Sequence, residues 1–217
     1  TGVLGQHGRL IIVNNGSQPL FDEYKSDEQI VVLSPGKNLG WEGGLKFGLE
    51  HSDAPFVCFQ NDDTFIPVKA HDVYMQMLRI FNDDNVGIVG PATTVASGLQ
   101  SIYCESGIKS PALVRWLIFF TAMVRREHLD AVGGIDDTLP GGDDFDLCMR
   151  MRKAGKFIVF HPDSFLIHHG FKTGARVHGD GYAGVKNGWN SQEMIDRTNQ
   201  ALIRKHGFRE FVETQFY

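Results

Sequence analysis

Two adjacent carboxylates follow directly on an apolar run of the sequence. The run at 56–59 reads FVCF, and Asp62 and Asp63 come after it between an asparagine and a threonine. Carboxylate oxygens are the ligands that Mg²⁺ and Mn²⁺ prefer, and a metal held in this way can bridge a diphosphate. In open α/β sheets, ligands gather beyond the carboxyl ends of strands. The pattern therefore indicates a divalent-metal site at Asp62 and Asp63, with a simple Asp-rich turn as the alternative for this pair alone.

A second acidic cluster stands where a helix pattern begins. Asp143, Asp144 and Asp146 lie within four residues of one another, directly after two glycines. Carboxylates at this place can cap a helix and complement its dipole. Crowding also raises the pKa of at least one of them, which suits a general base that must take a proton from a hydroxyl. From the residues alone, both interpretations stay open.

Two histidines end a later apolar run. His168 and His169 follow Phe165-Leu166-Ile167 and precede a glycine. Imidazole is a borderline ligand that Mn²⁺ accepts. We therefore predict that one of the two histidines completes an Asp/Asp/His metal shell, with a structural histidine at a strand end as the alternative.

The elements that must position these residues alternate along the chain. Short, continuous apolar runs occur at 10–13, 30–33, 56–59 and 86–89. Such runs are typical of strands buried on both faces, as in a mainly parallel sheet covered by helices. Apolar residues with helical spacing occur at 45–49, 73–81, 147–154 and 194–202. We predict an α/β fold in a single domain over 1–217, with a nucleotide and metal half at about 1–95 and an acceptor and catalytic half at about 96–217.

Composition excludes several classes of protein. The chain has 217 residues, 42% of them hydrophobic, and a formal net charge of −5, so no overall positive charge attracts nucleic acid. The most apolar stretch, at 116–124, is too short to cross a bilayer. Without a transmembrane segment, the protein is expected to be soluble or peripheral at a membrane, and we predict that it is cytoplasmic. The three cysteines have no CxxC spacing, and the patterns predict that Cys58 and Cys148 are buried.

A glycine-rich segment follows the histidine pair. Six glycines occur between residues 170 and 188, interleaved with basic residues and a tyrosine. This composition does not favour a helix or a strand, and loops of such length in a compact domain are typically functional. We predict a mobile loop at 170–190 that closes over the site.

Taken together, the motifs resemble those of family 2 glycosyltransferases of GT-A fold. In chain order they are IVNNGS at 12–17, KNLGWEGG at 37–44, NDDT at 61–64, FTAMVRR at 120–126, GGID at 133–136, GDDFDL at 142–147 and HHG at 168–170. The Asn-Leu-Gly and Asn-Asp-Thr variants resemble bacterial rhamnosyl and related cell-surface sugar transferases. The sequence departs from the family in two respects. Asp143 replaces the usual Glu, and the strand-helix unit that normally precedes the Asn-Gly-Ser strand is expected to be lacking.

The resemblance implies roles for residues at the metal and the reacting bond. Asp63 would bind Mn²⁺ or Mg²⁺, and Asp62 would touch the metal or the ribose. His168, or His169 one residue later, would be a further metal ligand. Asp144 would be the catalytic base, with Asp143 beside it.

The resemblance also implies contacts with the two substrates. Asn14 stands where the family has an Asp that contacts the nucleobase. Asn38 and Gly40 would also contact the donor, and Lys172 and Arg176 would clamp its diphosphate. The acceptor would enter near 97–116 and 182–189, with Trp116 and Asp146 as contacts.

These roles define an inverting transfer from a UDP- or dTDP-linked sugar to a hydroxyl of a glycan or lipid-linked acceptor, as in polysaccharide biosynthesis. The two alternatives are a sugar nucleotidyltransferase and a non-catalytic module that binds sugar nucleotides or glycans. A nucleotidyltransferase would need a glycine-rich phosphate loop with a basic residue after the first strand, which the sequence lacks.

Overall fold

The structure, a computed structural model, describes residues 8–16, 27–70, 72–104, 107–170 and 192–216. The strands are β1 (Leu10–Val13), β2 (Ile30–Leu33), β3 (Phe56–Gln60), β4 (Thr64–Phe65), β5 (Val86–Thr93), β6 (Ala112–Leu113), β7 (Thr121–Arg125) and β8 (Phe157–His168). The helices are α1 (Gly40–Leu49), α2 (Val73–Ile80), α3 (Arg126–Ala131), α4 (Asp143–Lys153), α5 (Gln192–His206) and α6 (Phe208–Phe216). Single 3-10 turns occur at Val68–Ala70 and Gly98–Gln100.

The described strands form two sheets. β1 and β2 make a parallel pair in which Leu10 lies opposite Ile30. The larger sheet has the order β3-β7-β5-β8-β4, and β6 also pairs with β8. Helix α1 packs on β1 so closely that a Cβ atom on Gly48 would lie 3.4 Å from the Cγ2 atom of Val13.

The larger sheet is mixed: β3, β5 and β8 run in one direction, as the apolar runs predicted, and β7 runs against them. Among the described pairs, β1–β2 and β5–β8 are parallel, whereas β7 runs antiparallel to both β3 and β5. Burial on both faces explains why the apolar pattern does not show the direction of β7. All eight residues of β5 are buried, and a strand between two helical layers is continuously apolar whichever way its neighbours run. The α/β class with helices on the sheet is confirmed.

The core lies on both faces of β5 and β8, and alternate residues enter different clusters. Ile88 and Ile158 pack with Leu147 of α4 on one face. Val89 and Val159 pack with Met77 of α2 on the other face. This alternation follows from the period of two along a strand. The two helices therefore hold the sheet between them, and both acidic motifs are attached to this rigid core.

The local predictions are confirmed at most elements. The strands predicted at 10–13 and 30–33 match β1 and β2, and the one at 56–59 extends by one residue. The strand predicted at 86–89 continues to Thr93. Helices occur where the spacing predicts them, and Cys148 is buried as expected. Cys58 is exposed, because it lies on β3 at the edge of the larger sheet, and the prediction that it is buried is wrong.

Helices α5 and α6 pack against α4 through a separate apolar cluster of Met149, Leu202 and Phe211. None of the helices in the described part of the chain is long and apolar enough to span a bilayer. The division into two functional halves stays a prediction.

Gly142, which directly precedes α4, lies close to side chains of α5. Its φ of +75° is strained for any L-residue, and an added Cβ atom would lie 3.0 Å from Thr198 and 3.1 Å from Leu202. We expect Gly142→Ala to lower the free energy of unfolding by about 2–4 kcal/mol, from backbone strain and overpacking together. Gly155→Ala is the matched control, because Gly155 has a φ of +74° with no atom within 4 Å of the added Cβ. Urea unfolding of both variants checks the prediction, and equal losses would contradict a close approach of α5.

Candidate active site

The end of β3 is held in place by backbone and side-chain hydrogen bonds. The Asn61 N–H donates to the carbonyl of Phe120 at 2.9 Å, and the Thr64 hydroxyl donates to the carbonyl of Asn61 at 2.8 Å. β4 then pairs antiparallel with the end of β8, so that Thr64 lies opposite His168. This pairing brings Asp63 beside a histidine that is 105 residues away in sequence.

Asp63 and His168 form the first half of the candidate site. The Nε2 atom of His168 lies 3.1 Å from Oδ1 of Asp63, and both side chains are mostly buried. On its other side, Nδ1 of His168 lies 2.7 Å from the carbonyl oxygen of Val95. A carbonyl only accepts, so Nδ1 carries a proton, and in the neutral ring the Nε2 lone pair faces Asp63. The Phe120 ring stacks on the imidazole at 5.2 Å and fixes its plane.

The protonation of His168 responds to the same contacts. Burial on its own lowers the pKa of His168, but the Asp63 carboxylate and the Val95 carbonyl outweigh burial and hold the pKa above its usual value. A cation at the Nε2 position is thus favoured electrostatically, whether it is a proton or a metal ion.

This donor pair fits Mn²⁺ or Mg²⁺. A carboxylate oxygen and an imidazole nitrogen are both ligands of Mn²⁺, and the Val95 carbonyl supplies the outer hydrogen bond that orients a metal-binding histidine. Among the described residues, no group of three or more His, Cys, Asp or Glu is arranged to hold a metal. A site with two protein ligands is consistent with such ions, because substrate phosphates and water supply their other ligands. Asp62 is exposed, and His169, also exposed, contacts Asp63 through its backbone N–H.

Asp143 and Asp144 form the second half of the site, on the first turn of α4. The Asp144 carboxylate accepts a 2.8 Å hydrogen bond from the Phe145 N–H, and Asp143 accepts one of 3.1 Å from the indole of Trp41. Burial and the nearby Glu42 raise the pKa of Asp143 to about 6. Burial and the Asp143 charge raise the pKa of Asp144 well above that of an ordinary aspartate. The pair can therefore accept a proton near neutral pH.

The loop after β5 connects the two halves. Its Thr94 hydroxyl donates to the carbonyl of His168, next to the Val95 contact described above. Further along the loop, an added Cβ atom on Gly98 would lie 2.6 Å from the Trp116 ring, so the loop backbone lies against the indole. Trp116 in turn packs on Phe145, with ring centroids 4.9 Å apart, beside Asp144. The predicted acceptor residue Trp116 is thus close in the fold to the predicted base.

Asp146 faces away from this arrangement. It is fully buried and accepts hydrogen bonds from Arg150, Lys205 and His206 at 2.6 to 2.8 Å. Burial on its own raises the pKa of Asp146, but these three contacts outweigh it and hold the pKa at about 2. Arg150 also donates to the carbonyls of Val132 and Gly134. These contacts tie α4 to α5 and to the Gly-Gly turn, and they do not support Asp146 as a contact of the acceptor.

The predicted donor residues lie around the start of α1. Asn14 ends β1, and its N–H donates to the carbonyl of Leu33. Asn38 accepts from the Gly40 N–H at 2.8 Å, and Gly40 has a φ of +73°. Asn38 and Gly40 thus lie on one turn, and the Asn15 side chain, next to Asn14, joins this turn to the end of β1 through Leu39 and Gly40. Lys172, Arg176 and the predicted loop at 170–190 lie outside the described residues.

The sequence did not indicate the residues that hold the predicted site residues in place. They are Asn15, Trp41, Val95, Arg150, Lys205 and His206. Asn15 and Trp41 stand inside quoted motifs, but no local pattern indicates their partners. The Val95 contact is made by a backbone carbonyl, for which a sequence carries no residue-type signal.

The fold and the arrangement of this site define a class, the GT-A glycosyltransferases. A mannosyltransferase from Pyrobaculum calidifontis, solved with GDP-Man and Mn²⁺, superposes with a TM-score of 0.59 at 18% identity, over 78% of this chain and 50% of that one. GalNAc-T7, solved with UDP, GalNAc and Mn²⁺, gives a TM-score of 0.62 at 14% identity, over 74% of this chain and 37% of that one. The chain thus spans half or less of the length of these two structures.

The chain belongs to glycosyl transferase family 2, whose profile matches residues 3–133. An uncharacterized protein of Mycobacterium tuberculosis (strain ATCC 25618 / H37Rv) is 30% identical over 92% of this chain and 75% of its own length. The predicted family and enzyme class are therefore confirmed, and the chain is a glycosyltransferase. The rhamnosyl subgroup stays a hypothesis.

Proposed function

We propose that this protein is an inverting glycosyltransferase that moves a sugar from a UDP- or dTDP-linked donor to a hydroxyl of a glycan or lipid-linked acceptor. The observation that carries the proposal is the pairing of Asp63 with His168 at 3.1 Å, on the strand edge of a family 2 domain. Both solved neighbours reported above contain Mn²⁺ together with a nucleotide or a nucleotide sugar.

In the proposed reaction, the acceptor oxygen attacks the anomeric carbon of the donor sugar. The bond from that carbon to the diphosphate oxygen breaks on the opposite face, so the configuration inverts. Asp144 takes the hydroxyl proton, and burial together with Asp143 makes it a stronger base than an ordinary carboxylate. The nucleoside diphosphate leaves with the electron pair of the broken bond.

The diphosphate would be bound where Asp63 and His168 meet. Asp63 and His168 would hold Mn²⁺ or Mg²⁺, which would supply positive charge to the leaving diphosphate. The protein keeps the two ligands in register through the Val95 carbonyl, the Phe120 ring and the β4–β8 pairing. Lys172 and Arg176 are proposed to add charge to the same phosphates.

The nucleoside is proposed to lie at the carboxyl ends of β1 and β3, near Asn14, Asn38, Gly40 and Asp62. An amide at Asn14 can pair with the edge of a uracil or thymine ring, since it offers both a donor and an acceptor. On the other side, Trp116 offers an aromatic face beside Asp144, and stacking on a sugar ring is the contact that we propose there.

The test is calorimetric titration of UDP, dTDP and GDP, each with Mn²⁺ and again with EDTA. We expect one pyrimidine nucleotide to bind at least tenfold more tightly with Mn²⁺ than with EDTA, because the metal shares the diphosphate charge. Release of that nucleoside diphosphate from its sugar conjugates, in the presence of glycan acceptors, then measures transfer. Absence of metal-dependent binding for all three nucleotides would overturn the proposal.

A non-catalytic sugar-nucleotide or glycan-binding module is the alternative that this assay separates. Such a module would bind nucleotide but release no diphosphate, and it would be indifferent to the ionisation of Asp143 and Asp144. The raised pKa of these two groups favours the catalytic interpretation, since binding alone gives no reason to bury paired carboxylates.

A further inference from the structure

A hydrogen bond joins the first turn of α1 to the acidic pair on α4. The Nε1 atom of Trp41 donates to Oδ2 of Asp143 at 3.1 Å, across 102 residues of sequence. Trp41 is partly buried and is the second residue of α1. An indole N–H only donates, so this contact favours the ionised form of the Asp143 carboxyl group.

The position of the indole is fixed by the start of its own helix. The Asn15 side chain accepts from the Leu39 N–H and donates to the Gly40 carbonyl, both at 2.7 Å. Asn38 accepts from the Gly40 N–H within the same turn. These bonds anchor the start of α1 to the end of β1, so Trp41 projects from a rigid support and not from a free loop.

The groups around Asp143 show why the hydrogen bond from the Trp41 indole matters for the ionised form of Asp143. Burial and then the negative charge of Glu42 on α1 raise the pKa of Asp143, whereas the Trp41 hydrogen bond and the backbone N–H groups of Asp143 and Asp144 lower it. At the neighbouring Gly142, the nearest side chains of α5 are Thr198 and Leu202, which carry no charge. Glu42 itself faces Asp137, whose charge is paired with Lys46 at 2.8 Å. Among the residues that the structure describes, Trp41 is thus a side chain from a neighbouring helix that stabilises the charged form of Asp143.

We propose that Trp41 is a positioning residue, whose indole N–H holds Asp143 in the orientation and ionised state in which Asp144 can take the acceptor proton. The inference rests on the proposed transferase function for its catalytic meaning. The Trp41–Asp143 contact, however, can be tested without any turnover.

The first test follows the indole N–H signals by ¹H–¹⁵N NMR between pH 4 and pH 8. The chain has three tryptophans, and Trp41→Phe identifies which of the three signals belongs to Trp41. We expect that signal to shift as Asp143 ionises near pH 6, and to lose this shift in Asp143→Asn. A Trp41 signal that is flat in the unmodified protein, or that titrates equally in Asp143→Asn, would overturn the proposal.

The second test compares the pH profiles of kcat/KM for the unmodified protein and Trp41→Phe. Phenylalanine keeps an aromatic ring but removes the donor, so the pair keeps its protons to higher pH. We expect the acidic limb to move upward by about one pH unit, the equivalent of one hydrogen bond to a charged group. The donor KM at pH 8.5 should stay within about twofold. A loss of activity that is the same at every pH would indicate a merely structural tryptophan and overturn the proposal.

Together, the two tests distinguish a failure of the proposed function from a failure of the positioning role of Trp41. If the unmodified protein transfers no sugar, the proposed function fails, while a Trp41 signal that titrates with Asp143 still supports the link between the two residues. If the unmodified protein transfers sugar and Trp41→Phe leaves the acidic limb in place, the positioning role fails and the transferase stands.

Discussion

Replacing Asp144 with Asn is expected to reduce the rate of sugar transfer by about 10²–10⁴-fold, the contribution of a positioned general base. The amide has nearly the same shape, so the hydrogen bond from the Phe145 N–H and the packing of α4 should persist. Nucleotide affinity should change little, because the phosphates are proposed to bind at Asp63 and His168. The measurement is kcat for transfer, together with calorimetry of the nucleotide. Asp130→Asn, at an exposed ion pair with Arg126 on α3, is the control.

The same substitution is expected to stabilise the fold at neutral pH. The folded-state pKa of Asp144 lies above that of the unfolded chain, so its contribution to stability is complete below the unfolded-state pKa of about 3.9 and is lost as pH rises from there through the folded-state pKa. Asparagine does not ionise, so its contribution to stability does not change with pH. We therefore expect Asp144→Asn to unfold like the unmodified protein at pH 4, but to be more stable by about 1–2 kcal/mol at pH 8. Equal stability at both pH values, or unchanged turnover, would exclude Asp144 as a buried base.

Replacing Asp63 with Asn is expected to weaken the metal-dependent part of nucleotide binding by about 10- to 100-fold. The substitution removes the carboxylate that faces Nε2 of His168, and an amide oxygen is a weaker ligand for Mn²⁺. In EDTA, the variant and the unmodified protein should bind nucleotide with similar affinity. Calorimetric titration with and without Mn²⁺ measures both quantities.

Asp62→Asn is the matched control for this second prediction, because it changes the adjacent carboxylate, which is exposed. We expect a smaller loss for Asp62→Asn than for Asp63→Asn. A larger loss of metal-dependent affinity for Asp62→Asn would indicate that the metal binds on the solvent side of the strand edge and not beside His168. Full retention of Mn²⁺-dependent affinity in Asp63→Asn would contradict the metal site itself.

The local elements and the chemistry of the motifs could be predicted from the sequence because neighbouring residues encode them. An apolar run such as 86–89 predicts a buried strand from the period of its own side chains, and the structure confirms β5 there. The carboxylates at 62–63 and 143–144 indicate metal and proton chemistry by residue type alone. The order of the motifs was sufficient to indicate the family that the comparisons confirm.

Strand direction and side-chain partners were decided only by the tertiary structure. Burial on both faces makes parallel and antiparallel strands equally apolar. The position of β7 between β3 and β5 therefore cannot be predicted from the apolar pattern of the sequence. His168 and His169 are equivalent as residue types, and the β4–β8 register brings the His168 ring to Asp63 while His169 stays exposed.

The same reason applies to the acidic cluster. Asp143, Asp144 and Asp146 look alike in sequence, yet they are separated in role by residues from distant elements. Lys205 and His206 neutralise Asp146, whereas Trp41 and Glu42 face Asp143. The sequence by itself indicated which groups could carry chemistry. Only the packing of segments 60 to 105 residues apart decided which carboxylate faces His168, which accepts the Trp41 hydrogen bond and which forms structural ion pairs.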